Sequence, residues 1–165
     1  MSTTSTSLVA VLAPALALPL SGAILSLSYS STPLFLSLTR TASVSSSLRE
    51  VRSLFSSGSH IFPQVASVSA ALFSFLAYSL PEKRKAYGAA AALVASILPF
   101  TVLLMLPASN QRLIDLNDLA KKDKDAVEGK RGEVEGLLKT FGRLNAVRAV
   151  LVAAGGVVGL GAALS

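Results

Sequence analysis

Side chains able to do chemistry are few in this chain, and they gather where charged runs meet apolar ones. Asn145 and Arg148 stand three residues apart, so a helix sets them side by side on one face. They lie where an amphipathic turn gives way to an uncharged stretch, residues 149–165. An amide beside a guanidinium offers several hydrogen-bond donors and one fixed positive charge. Two readings stand for Arg148: buried with a partner, or snorkelling outward along its own aliphatic stem. Asn110 and Arg112 flank the end of another uncharged run, just after Pro107 turns the backbone. Their side chains either face back toward the apolar helices or belong to a solvated loop. His60, the only histidine, lies between Gly58 and Pro63 at a span boundary. It is the one side chain whose ordinary pKa suits general-base work near neutrality; an interfacial structural role is the other reading. Arg40, Arg49 and Arg52 read as surface charges, and so does the mixed run from Asp115 to Glu135.

Composition removes several kinds of chemistry. With no cysteine there is no disulfide, thiol nucleophile, iron–sulfur cluster or thiolate zinc site. One histidine cannot build a two-histidine iron or copper site within one chain. The expectation is a protein that works without a tightly held metal. The net charge of +6 raises nucleic acid as a partner, but no basic cluster alternates with aromatic residues. Basic residues beside apolar runs are better read as membrane anchors, so no nucleic acid partner is expected.

The elements that must position these groups follow from length. Residues 2–39, 61–81, 86–111 and 149–165 carry no charge. A helix rises about 1.5 Å per residue, so roughly 20 residues cross a hydrocarbon core about 30 Å thick. Charged residues make up 15% of the chain, against roughly 25% in soluble domains, and sit in three islands. The pattern predicts an all-α fold, a four-helix transmembrane bundle forming a single integral-membrane domain over residues 1–165. Its spans are expected at 8–29, 61–80, 86–106 and 145–164, after a Ser/Thr tail at residues 1–7. An interfacial or partly buried helix is expected over 34–55, with Pro33 a break or a helix start. Glu82 to Lys85 reads as a tight helical hairpin turn.

A polar loop is expected over 107–144, its later part an amphipathic helix because Val134, Leu137, Leu138, Phe141 and Leu144 fall at helical spacing. Gly155 and Gly159, four apart, offer a face for close packing and for a homo-oligomer contact. Ala15 to Ala17 also resembles a signal-peptide cleavage pattern. A membrane span is the preferred reading, because no Lys or Arg precedes the apolar stretch and that stretch exceeds a signal core. Twelve of the fifteen Lys/Arg residues fall after the first or third span. The positive-inside rule therefore puts loops 30–60 and 107–144 on the cytosolic side of an endomembrane, with both termini lumenal or outside.

Three segments carry a resemblance. They are Pro99-Phe100-Thr101 through Met105-Leu106-Pro107 with Asn110, Phe141-Gly142-Arg143-Leu144-Asn145-Ala146-Val147-Arg148, and the looser Gly58 to Pro63. Ser21-Gly22-Ala23 followed by Pro33 also fits. With the four-span layout, the chain resembles the small integral-membrane anthrone oxygenases of fungal aromatic polyketide pathways. One departure stands out: relatives often carry a tryptophan between Leu48 and Phe55, and this chain has none, with Val51 in that place. The resemblance implies a cofactor-free oxygenase that converts an anthrone-type polyketide intermediate to the anthraquinone with O₂. Matched to that reaction by chemical type, His60 is the candidate base, Asn145 and Arg148 the candidate donors to the developing oxyanion, and Asn110 and Arg112 secondary candidates to orient the substrate's phenol groups. The lipid bilayer is the surrounding partner. A non-enzymatic membrane scaffold and a small-molecule carrier are the alternatives.

Overall fold

The computed structural model describes residues 3–165, with side chains from residue 6 onward, and every regular element in it is helical. The first two residues of the expected Ser/Thr tail lie outside the described residues; from Thr3 the chain is already helix.

Four long helical runs follow one another. The first joins α1 (Thr3–Ser26), a wide-turned π segment (Leu27–Ser31) and α2 (Thr32–Thr41). The second is α3 (Val44–Ser79), an unbroken helix of 36 residues. A 3₁₀ turn (Pro81–Lys83) starts the third, which continues through α4 (Arg84–Ala95), α5 (Ile97–Phe100), a second π segment (Thr101–Asn110) and α6 (Gln111–Lys122). After the single turn α7 (Asp125–Glu128), α8 (Arg131–Leu164) completes the chain. By length and composition, all four runs can cross a membrane.

Prolines explain the two wide segments. Proline lacks an N–H, and its ring crowds the carbonyl four residues back. Pro33 lies in the first turn of α2, just beyond Thr32, and Pro107 lies inside the second π segment. At the first, the backbone N–H and the hydroxyl of Thr32 both donate to the Leu27 carbonyl, the hydroxyl at 2.7 Å. At the second, the Gln111 N–H reaches the Leu106 carbonyl. Both are five-residue closures that keep a displaced carbonyl satisfied.

Two expectations need correction. The separate interfacial helix over 34–55 is not one element, because the chain breaks at Ala42–Ser43. Residues before the break end the first run, and those after it begin α3. The polar loop over 107–144 is helix for most of its length. The physical reason is amphipathicity: Leu113, Leu116 and Ala120 in α6 are buried on one face while the charges point away.

The chain packs as two compact units, each built from separate segments. One unit contains the first segment through Ile24, Ile61–Pro99 and Val147–Ser165. Its core is lined by small residues, among them Ala13, Ala17, Ala66, Ala90 and Ala149, around Phe73, Leu76 and Tyr87. Small side chains let helix backbones approach closely, the usual device where lipid supplies no hydrophobic drive. A Cβ on Gly155 would lie 2.7 Å from Val94 Cγ2 and 3.0 Å from the Ala90 carbonyl, and one on Gly159 would collide with the Phe73 ring. The Gly155/Gly159 face is thus filled by the chain's own α4 and α3. A second copy meeting this face would have to displace these helices. Lys83 Nζ donates to the Ala162 carbonyl at 2.8 Å, a cation at the C-terminal end of α8.

The other unit contains Leu25–His60 and Phe100–Ala146. Val44, Leu48, Val51, Met105, Leu116, Leu138 and Phe141 are among its core residues. Val51 is 1% exposed. Buried hydroxyls here are paired: Thr39 Oγ1 lies 2.8 Å from Ser47 Oγ, and Ser47 Oγ donates to the Phe35 carbonyl at 3.1 Å. Surface ion pairs join Arg40 to Glu135 at 2.9 Å and Arg112 to Glu133 at 2.6 Å.

Candidate functional site

Helix α8 presents one buried stripe along its whole length. Val134, Leu138, Phe141, Asn145, Arg148, Val152, Gly155, Gly159 and Ala162 recur every three or four residues, and all are buried. A step averaging 3.5 residues keeps one face of a helix toward its neighbours. Seven of these nine are apolar or glycine; the two polar members are consecutive and central.

Asn145 is fully buried, and neither its amide nitrogen nor its carbonyl oxygen has a hydrogen-bond partner. A buried polar group left unpaired costs about 1–3 kcal/mol, so proteins rarely keep one without a use. Arg148 is 7% exposed and interacts within the protein. Of the two sequence readings for Arg148, burial holds and snorkelling does not. A charged side chain buried within a membrane helix is a functional candidate by its rarity. Together the pair offers an open donor and acceptor on Asn145 beside a fixed positive charge.

The other sequence candidates lie elsewhere. His60 is on α3 with its side chain exposed, and the structure does not hydrogen-bond it to Asn145. Asn110 ends the second π segment half-buried, its Oδ1 accepting from Ser109 Oγ at 3.1 Å. Arg112 is exposed, and its Nε donates to Glu133 Oε1 at 2.6 Å. That hydrogen bond holds the Glu133 carboxyl below the usual carboxylate range, as the one from Arg40 does for Glu135. These carboxylates lie outside the apolar spans. Of the five sequence candidates, α8 brings Asn145 and Arg148 onto one buried face and leaves His60 and Arg112 at the surface.

A second polar feature escaped the sequence reading. Ser28 Oγ donates to the Gly142 carbonyl at 2.7 Å, and a Cβ on Gly142 would lie 3.0 Å from both Thr32 Cγ2 and Oγ1. An added methyl would press on the Thr32 side chain, so glycine favours this close approach of helix to helix. Beside it opens a groove of about 280 Å³ lined by Ser28, Thr32, Lys139, Gly142, Arg143 and Ala146. The available signal was the spacing: Ser28 and Thr32 share one helical face, as do Lys139 and Arg143.

The anthrone oxygenase family matches residues 51–158, a segment containing the central polar pair of α8 and the second π segment. A protein named anthrone oxygenase encC, from Aspergillus fumigatus, is 33% identical over 129 residues, covering 71% of this chain and 70% of that protein. A protein named monooxygenase hypC, from Dothistroma septosporum, is 30% identical over 144 residues, covering 86% of this chain and 75% of that protein. No solved structure matches the chain.

Proposed function

This chain belongs to the anthrone oxygenase family, monooxygenase-type oxidoreductases, and from that membership we propose that it oxidises an anthrone-type aromatic polyketide intermediate to the anthraquinone. The observation that carries the assignment of a site is the buried, unpaired amide of Asn145 next to Arg148.

The chemistry asks little of a protein. An anthrone methylene lies between two aryl rings and is conjugated to a carbonyl, so losing a proton gives an electron-rich enolate. The enolate passes electrons to O₂, one oxygen atom becomes the new carbonyl, and the other leaves as water with the methylene hydrogens. We assign the enolate oxygen to Arg148 and the Asn145 amide N–H, donors placed where negative charge develops. Held in an apolar stripe, they act at low dielectric, where such donors count for more than in water. His60 is the proposed base on chemical type alone, and Asn110 is assigned to the substrate's phenol edge. Arg112, engaged by Glu133, is assigned the same orienting role from the surface. The reaction as written draws on no metal or organic cofactor. We assign loops 30–60 and 107–144 to the cytosolic side of an endomembrane, with both termini lumenal or outside.

The test is conversion by membranes from a host lacking such a pathway, fed an anthrone under air with a metal chelator present. Quinone should form above the spontaneous rate. Arg148→Ala should lower that excess by about 10²-fold, the usual cost of removing one oxyanion donor. Transport of unaltered anthrone would make the protein a carrier. No excess conversion across several anthrones, with insertion confirmed, would make it a scaffold.

A further inference from the structure

We propose that the groove beside Gly142 seats the headgroup phosphate of an anionic phospholipid, with Lys139 and Arg143 as its two cationic contacts. This site is separate from the Asn145/Arg148 pair: the groove residues occupy a different face of α8 from the buried stripe.

Donor accounting defines the ligand's chemistry. Ser28 and Thr32 form the floor, but their hydroxyl protons are committed to the carbonyls of Gly142 and Leu27. Donors left for an occupant are the Lys139 ammonium and the Arg143 guanidinium, and neither has an ion pair or hydrogen bond among the described residues. Several other cations of the same charged region are taken, Arg40 by Glu135, Arg112 by Glu133, Lys121 by Asp118 and Arg131 by Glu128, and of the cations without an ion pair only Lys139 and Arg143 line this groove. Glu135, one turn before Lys139, feels its field but accepts both of its hydrogen bonds from Arg40. No carboxylate lines the groove. An occupant must therefore bring acceptors and negative charge, and a phosphate with several acceptor oxygens fits two such donors.

Position selects a lipid over a free anion. Along α8 the charges become sparse after Arg143 and end at Arg148, and Val147 and Val150 are exposed. On the facing run, Leu25 and Tyr29 flank Ser28 and are also exposed. Exposed tyrosine and aliphatic side chains within a few residues of the groove's lining are the pattern of a membrane interface. Basic pockets between helices at that level hold anionic headgroups. The trimethylammonium of phosphatidylcholine would meet two like charges, so the groove discriminates against zwitterionic lipid.

The full chain, purified in mild detergent and offered equal phosphatidic acid and phosphatidylcholine, would be analysed for retained lipid by native mass spectrometry. Wild type should retain the anionic lipid preferentially, by about five-fold per cation. The preference should fall to near unity in Lys139→Gln/Arg143→Gln and persist in the control Lys121→Gln/Lys122→Gln. Each single variant, Lys139→Gln or Arg143→Gln, should lose part of it, which tests the site even where the double variant fails to fold. Absence of preference in wild type, or its survival in both single variants, overturns the proposal. Displacement of the lipid by inorganic phosphate alone also overturns it, because the site would then be one for a free anion.

Discussion

At the scale of the residue, Asn145 sets stability against function. Its amide is buried and unpaired, so leucine, of similar volume, should relieve an unmet desolvation cost. We expect Asn145→Leu to raise the thermal unfolding midpoint of the purified protein, worth about 1 kcal/mol. The same variant should lose most of its anthrone conversion. A drop in midpoint would mean that the amide is satisfied in the native state and is not held open for a ligand. Glycine gives a second residue-scale contrast. Gly159→Ala places a methyl against the Phe73 ring and should destabilise by about 1–3 kcal/mol, whereas Gly161→Ala, with nothing within 4 Å, should not. Equal midpoints for the two alanine variants would show that α8 does not pack on Phe73. Asn145 and Arg148 were legible in sequence because two polar residues interrupt an otherwise apolar stripe. His60 was chosen for its chemical type, and the phase of α3 argued against an inward position. The buried stripe through Ala66 and Phe73, run backward by helical steps, passes through the half-buried Phe62 and Pro63 and misses it. Ser28, Thr32 and Gly142 were not legible, since hydroxyls in an apolar span look alike until a partner helix is known.

At the scale of the element, charge misled where periodicity did not. Residues 111–122 carry Arg112, Asp115, Asp118, Lys121 and Lys122, which suggested a loop, yet Leu113, Leu116 and Ala120 keep helical spacing and are buried. Serines hid the start of α3 in the same way, because Ser47 is buried against Thr39 and not solvated. The π segments were invisible, since a proline indicates that a helix is disturbed but not how its carbonyls are resatisfied. Thr32 makes this testable. Thr32→Val keeps the volume and the backbone N–H but removes the hydroxyl bond to Leu27, so it should cost about 0.5–1 kcal/mol in a denaturation series. No loss would show that the backbone bond alone holds the wide turn. The ion pairs Arg40–Glu135 and Arg112–Glu133 set an acid limit. Both carboxyls are held below their ordinary value of 4.5, so their contribution is complete above that pH and fades as pH falls through the lower folded values. Both pairs are exposed, so the effect should be small and screened by salt. Arg40→Gln/Arg112→Gln should flatten the acid limb of a stability profile; an unchanged limb would assign acid sensitivity to other groups.

At the scale of the whole molecule, the count of four long helices was fixed by length and apolarity, but their extent was not. A helix of 36 residues rises about 54 Å, well beyond a hydrocarbon core of about 30 Å. The expected spans, 8–29, 61–80, 86–106 and 145–164, were sized to the hydrocarbon core, although helical hydrogen bonding has no reason to stop at the headgroups. Charged helix ends beyond the apolar windows therefore form packed structure of their own, with Leu48, Leu116, Leu138 and Phe141 in its core. Sidedness then becomes a sharp question. Two connections, at Ala42–Ser43 and around Asp123–Lys130, join the first run to the second and the third to the fourth, whereas the Pro81–Lys83 turn joins the second to the third. Four crossings put the first two connections on one side and the turn on the other. The absence of cysteine supplies a clean background for single introduced thiols. In sealed vesicles with the cytosolic face outward, Lys124→Cys should react with a membrane-impermeant maleimide and Glu82→Cys should react only after permeabilisation. The reverse pattern would invert the orientation derived from the Lys/Arg distribution but keep four crossings. Reaction of both thiols from one side would remove a crossing, and with it the bilayer as the environment of the Asn145/Arg148 pair.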